Sequence, residues 1–393
     1  MKLQKGFSLI ELMVSMGIVV TVVAIATGSL MQAEHATTAV AYMANTQENL
    51  RAGMHFMVRD LMQAGEGIPQ GGVSLPYTGA TSPIARPGLA AAGTFPTAST
   101  LPAITPGYLL GQAATALNPS TGATVLGTNT DIINIIYADN VLQDTAGNYL
   151  YSAPIIQALP STPVCTGTIS LTGASVALDP GCFIMPGATN PITVGNLIMF
   201  HNQNGTALEY VTGIAGQTIE FAGGDPAGLN QTGNTFGTVA QLATKGVFPP
   251  TTITRVWMVT YYVNATNAQD PQLIRQVNYP NYPPGAPVNP PTAIADDIEN
   301  LAFSYAITSS TDLAGTYGVT NFTNGSGNAP QPILPDTPAQ IRAVNVFLAG
   351  RSENTYTALS NPDYLRNNLS TQVSIRSLSF TNQFTTSSST TAP

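Results

Sequence analysis

Between Phe7 and Met31 the chain carries one charge, Glu11, in an otherwise apolar run. A helix of that length crosses the ~30 Å of hydrocarbon in a bilayer. Whatever else the chain builds, it must accommodate an apolar rod at its N-terminus. Lys2 and Lys5 precede the run, which predicts a cytoplasmic N-terminus from the excess of basic residues found on that side. A secretory signal would have a shorter apolar core and an Ala-x-Ala cleavage site after it, and neither is evident. Hydropathy alone therefore reads as a signal anchor. Glu11 is at odds with a plain anchor, because an ionisable group inside a span is costly and by default functional.

The helical pattern runs on past the span. Val40, Met43, Leu50, Met54, Met57 and Leu61 recur at three- and four-residue spacings, with a polar break at Gln47. Arg51, Arg59 and Asp60 fall largely off that stripe. Gly65, Gly67 and Pro69 then supply breakers. The spacing predicts one helix from about Phe7 to Ala64, roughly 85 Å long, with residues 7–31 in the membrane and 32–64 amphipathic. Gly28, near the junction, is either a point of local melting or a glycine tolerated in a membrane helix.

Residues 65–393 read differently. Charged residues are 8% of the chain, whereas Gly and Pro number 36 and 30, which fits a loop-rich β domain with a weakly charged surface. Net charge is −8, and the Lys and Arg residues are scattered singly. No basic stripe is available to neutralise phosphates, so nucleic acid is not expected as the main partner. Residues 68–128 have no sustained period and read as an irregular excursion with room for short strands. Runs rich in β-branched and aromatic residues follow at 131–139, 196–202, 207–215, 217–223, 253–265, 271–279, 298–308 and 341–350. "NQNGTA" and "TNAQD" look like hairpin connections. No second long helix is evident. The expected class is α+β: a long N-terminal helix laid on a largely antiparallel sheet, with long loops.

Catalytic and metal-binding constellations are not legible. There is no CxxC, HExxH, Walker loop, G-x-S-x-G or strand-linked G-x-G-x-x-G. His35, His55 and His201 are dispersed, and the first two fall on nearly opposite faces of the helix. Asp139, Asn140, Asp144 and Asn148 lack EF-hand alternation and read as a solvated hairpin turn. Asp296 and Asp297 are adjacent, so in a strand they would point to opposite faces; they are expected to begin a strand or occupy a turn. Tyr261 and Tyr262 read as sheet residues. No cofactor and no metal are expected. Cys165 and Cys182 would form a disulfide if the domain is exported, closing a loop for roughly 3 kcal/mol; as two unrelated buried thiols they would not.

One short segment is more specific. "KGFSLIELMVSMGIVV" (5–20) closely resembles the type IV prepilin signal: basic residues, then Gly6, then Phe7 opening the apolar run, with Glu11 fifth from Phe7. The resemblance implies cleavage between Gly6 and Phe7 by prepilin peptidase, methylation of the Phe7 amine, and a leader spanning 1–6. It also implies that Glu11 sets assembly register by pairing with the Phe7 amine of a neighbouring subunit. A self-pair is the alternative, since four residues of helix rise only ~6 Å. Either pairing offsets the cost of two lone charges in hydrocarbon. Pilins commonly carry Thr where Ser8 stands.

"NLRAGMHFMVRDLMQAGEG", "ITRVWMVTYYV", "PQLIRQV", "IENLAFSYAI", "IRAVNVFLAGRS" and "LSTQVSIRSLSF" resemble, in order, PilW-type minor pilins of the PilW/PulJ group. That implies a pilin-like fold and a non-enzymatic role in initiating or tipping a type IV pilus. The implied partners are prepilin peptidase, other minor and major pilins, and the inner-membrane assembly platform. The implied location is a single pass through a bacterial inner membrane, with the globular domain periplasmic, then the filament. A type II secretion pseudopilin is the alternative, as is a tip adhesin contacting surfaces through residues 68–128 and 309–340.

Overall fold

The apolar run and the stripe after it form one unbroken helix, Leu9–Gln63, of 55 residues. A computed structural model describes residues 8–69, 71–76, 84–88, 100–114, 116–117, 124–125, 127–139, 153–155, 167–171, 174–178, 192–215, 218–231, 236–242, 249, 251–280, 290–308, 317–320, 338–356 and 363–379. Gly28 does not interrupt the helix, and a side chain there would meet open space. Its C-terminal end is set by Gly65 and Gly67, both with positive φ (76° and 67°), a conformation that glycine adopts without penalty. At Gly67 a Cβ would also stand 2.6 Å from that of Ala138. The Gly65 N–H donates to the Ile136 carbonyl at 2.9 Å, so the helix end is tied to a strand as it stops.

Two large sheets receive the helix. In the first, Thr251–Asn264 is the central strand. Its N-terminal part pairs with Leu197–Asn202 and Ala153–Ile155, and its C-terminal part with Ile132–Ala138 and Gln272–Val277. Gly205–Tyr210, Thr292–Ala295 and Ile104–Gly107 extend this sheet. The second sheet has the order Tyr317–Thr320, Ile298–Thr308, Ile341–Tyr356, Asp363–Ser374. All these pairings are antiparallel. A smaller sheet contains the parallel pair Thr218–Phe221 with Gly167–Leu171.

The second half of the helix lies where the two large sheets meet. Leu50, Met54, Met57 and Leu61 join one core with Ile133, Ile135, Tyr261 and Leu273 of the first sheet and Leu301, Phe303, Val344, Val346 and Leu348 of the second. Gly53 allows the closest approach: a Cβ there would sit 2.8 Å from Leu273 Cδ2 and 3.3 Å from Leu348 Cδ2. The α+β expectation holds, and both hairpin connections are found, between Asn202 and Gly205 and between Asn264 and Gln272.

Several details differ from the sequence reading. Burial on the helix begins at Thr46, while Val40 and Met43 remain 68% and 45% exposed, because they lie off the helix face that Tyr356 touches at His35. Asp60 is fully buried rather than off the core face, since it has partners inside. Asp139 is buried too, not solvated, because its carboxylate accepts from Arg255 Nε at 2.6 Å in an enclosed ion pair. The run at 207–215 is two strands, Gly205–Tyr210 and Gly213–Ala215, and the strand expected to end at 350 continues to Tyr356. Residues 68–128 contain short strands at Val73–Ser74, Thr100–Leu101, Ile104–Gly107, Ala116–Leu117 and Thr124–Val125. Tyr261 and Tyr262 are sheet residues, and Asp296 and Asp297 occupy a bend between Thr292–Ala295 and Ile298–Thr308.

Candidate functional site

The free end of the helix is closed by its own side chains. Ser8 is the N-cap: its Oγ accepts from the Glu11 N–H at 3.3 Å, and Glu11 Oε2 accepts from the Ser8 N–H at 3.0 Å. This reciprocal capping box satisfies two backbone donors that would otherwise lack partners and places a carboxylate at the positive end of the helix dipole. The sequence reading names Ser8 only for standing where pilins commonly carry Thr, although S-x-x-E ahead of an apolar run is the signature of such a cap.

Along the next turns the polar side chains are turned inward. Ser15, Thr21, Thr27 and Ser29 each donate to a carbonyl three or four residues earlier, at 2.8–3.2 Å. Their hydroxyls therefore add little polarity to the surface, while Leu9, Ile10, Ile25 and Leu30 are 69–77% exposed. From Leu9 to Met31 the helix presents an apolar surface with one carboxylate at its tip. It is long and apolar enough to cross a membrane.

At its other end the helix is held by a buried polar cluster. Asp60 is 0% exposed; its Oδ2 accepts from the Tyr261 hydroxyl at 2.6 Å and from Arg275 Nε at 2.7 Å, while Arg59 stands 3.4 Å from Oδ1. Burial, and then the Asp60 charge, push the Tyr261 phenol far above its usual pKa. Burial works against the Arg275 guanidinium, yet its hydrogen bond to Asp60 and that charge hold its pKa above the ordinary value. The nearby Tyr137 phenol is pushed up to about 12 by burial, then by Asp60. A buried carboxylate with these donors fixes the rotation and depth of the helix on the sheet. Lower down, the Tyr356 hydroxyl donates to the His35 carbonyl at 3.2 Å and Thr46 Oγ1 to the Arg351 carbonyl at 3.3 Å.

Of the residues marked out from sequence, Glu11 sits at the exposed tip. Gly6, Phe7, Cys165 and Cys182, together with Asn140, Asp144 and Asn148, lie outside the described residues. His35 packs edge-on to Tyr356, His55 to Phe56, and His201 is exposed on the first sheet; the three are not brought together. Among the described residues no cluster of His, Cys, Asp and Glu is arranged to hold a metal ion.

Residues 1–27 match the family model described as the prokaryotic N-terminal methylation motif. The chain carries a prepilin-type N-terminus. The matched stretch contains Gly6, Phe7, Ser8 and Glu11 and runs into the exposed apolar half of the helix. Neither the comparison with curated proteins nor that with solved structures gives a match. The motif implies processing by prepilin peptidase and association with a membrane, and with the apolar helix it fits inner-membrane anchoring. A prepilin-type chain with this layout is supported as a type IV pilin-like or pseudopilin-like protein, structural rather than catalytic in character.

Proposed function

We propose that the protein is a minor pilin of the PilW type, which enters the inner membrane by its N-terminal helix and takes part in starting or tipping a type IV pilus. The observation carrying this reading is the continuity of the matched motif with one rigid rod. That rod is apolar and exposed over its first half and locked into a β domain over its second. Such a rod transmits register from a contact at its tip to the position of the domain. Prepilin peptidase cuts between Gly6 and Phe7, and the Phe7 amine is methylated. The globular domain passes to the periplasm, where oxidation allows a Cys165–Cys182 disulfide.

Glu11 is the assembly residue in this account. Its carboxylate already reaches the start of its own helix, at the Ser8 N–H. After cleavage the Phe7 amine lies one residue beyond that point, so the carboxylate is shared between its own helix cap and a neighbour's amine. In hydrocarbon a charged amine, a neighbour's or the chain's own, is a stronger partner for the carboxylate than the neutral Ser8 N–H. Replacing Glu11 by Ala is expected to leave leader removal intact while reducing incorporation into filaments. Wild-type filament numbers in that strain would sink the assembly role of Glu11.

A further inference from the structure

Where the helix leaves the domain, a pocket of about 670 Å³ opens between Tyr42–Asn49 and two loops of the sheets. Carboxylates line it from every side: Glu48 from the helix, Asp270 from the loop after the central strand, Asp296 and Asp297 from the bend before Ile298, and Glu353 from the strand Ile341–Tyr356. The facing cation is Arg351, which is 1% exposed and already engaged. Its Nη2 donates to the Ala268 and Gln269 carbonyls at 2.7 and 3.0 Å, Nη1 stands 3.6 Å from Glu299, and the guanidinium lies over Tyr364. Five carboxylates against one guanidinium leave the pocket lining net negative.

Acidic residues gathered at a surface need no ligand, but Asp297 is not at the surface. Its side chain is 9% exposed, and Oδ1 receives no hydrogen bond; its ion-pair partner, Arg351 Nε, stands 3.9 Å away and makes no hydrogen bond either. Its backbone is in the left-handed region, φ 59°, uncommon for a non-glycine residue and maintained only by surrounding structure. Burial, with Asp270, Glu353 and Asp296 adding to it and Arg351 opposing, pushes the Asp297 carboxyl up to about 6. A buried carboxylate held only by a long ion pair on Oδ1, among further carboxylates, is stabilised by an arriving cation. The neighbouring amides are engaged elsewhere: the Gln272 amide bridges Asp270 and Asp296 at 3.2 and 2.9 Å, and Asn49 donates to the Asp296 carbonyl.

We propose that this pocket is a socket for the basic side chain, guanidinium or ammonium, of a neighbouring protein subunit. The spread of the carboxylates suits an organic cation with several N–H donors; no three of them are close enough to enclose a metal ion among the described residues. The pocket borders the stretch of helix at which burial begins, the position where an adjacent subunit's domain would sit beside the rod. That the donor is a filament subunit rests on the pilin reading; the socket itself does not.

The test uses the full chain in detergent micelles, with 3-fluorotyrosine introduced at Tyr42, and follows its fluorine resonance. Acetyl-arginine amide, its neutral isostere acetyl-citrulline amide, and calcium chloride are titrated separately at low salt. The expected result is a saturable shift with the arginine compound alone, weakened about tenfold in the Asp270→Asn, Asp296→Asn double variant. Circular dichroism of the variant checks that it is folded. Equal shifts with citrulline, no saturable shift, or an unchanged midpoint in a folded double variant would each overturn the socket. A saturable shift with calcium but not arginine would make it an inorganic cation site and overturn it equally. None of these outcomes bears on leader processing, so failure here is distinct from failure of the pilin assignment.

Discussion

Replacing Asp60 by Ala tests how the rod is fastened to the domain. The change leaves the Tyr261 hydroxyl, on a residue that is 0% exposed, without its acceptor, at a cost of about 1–3 kcal/mol. It also strips the carboxylate from Arg275, whose side chain is 19% exposed. Breaking a fully buried ion pair costs about 3–5 kcal/mol, and the partial exposure of Arg275 reduces that share. The combined loss expected is about 3–4 kcal/mol. For a domain of this size that corresponds to a fall in Tm of about 4–6 °C. The assay is thermal unfolding of the full chain in micelles, followed by the fluorescence of Trp257, the single tryptophan, on the central strand. Arg59→Ala is the control: its side chain is 50% exposed, and its loss should stay within about 0.5 kcal/mol. If Asp60→Ala also fell within that range, the polar cluster would not be what seats the helix.

Two further substitutions probe the domain. Glu209 is 4% exposed, and burial, with Asp225 nearby, raises its pKa well above the ordinary value against the opposing Val239 N–H. Its contribution to stability is therefore full below the unfolded pKa and is lost as pH rises toward the folded one. Glu209→Gln should stabilise the protein at pH 8 and change it little at pH 4; parallel stability–pH profiles for the two proteins would count against it. At Gly53, Leu should overpack the contact with Leu273, Leu348 and Ala295 and cost about 1–3 kcal/mol. Ala meets only the flexible end of Leu273 under 3 Å and gains about 1 kcal/mol of helix propensity, so it should unfold near the wild-type temperature. Equal melting temperatures for the Ala and Leu variants would contradict the close packing.

The long helix was legible because its signals are local: an apolar run, three- and four-residue spacing, and glycines at the end. The strands were legible for the same reason, as short β-branched runs between turn residues. What escaped was set by distant partners. Asp60 looks solvent-facing until Tyr261 and Arg275, two hundred residues away in sequence, are brought beneath it. Asp139 is read as a turn residue until Arg255 arrives on the neighbouring strand. The extra length of Ile341–Tyr356 comes from pairing with Asp363–Ser374, which a window of ten residues does not contain. Ser8 is the opposite case: its role is local, and the three-residue spacing to Glu11 was there to be read. The acidic pocket needs residues from the helix, two loops and a strand, so no single stretch announces it.

The measurement that bears most directly on the account is mass spectrometry of filaments sheared from the cell surface, with the membrane fraction beside them. The account predicts a peptide that begins at N-methylated Phe7 and contains Glu11, present in the sheared filaments. The same peptide confined to membranes would count against a place in the extracellular pilus and favour a secretion pseudopilus or a basal priming role. Chains found only with residues 1–6 still attached, in a cell whose other prepilins are processed, would contradict the central claim.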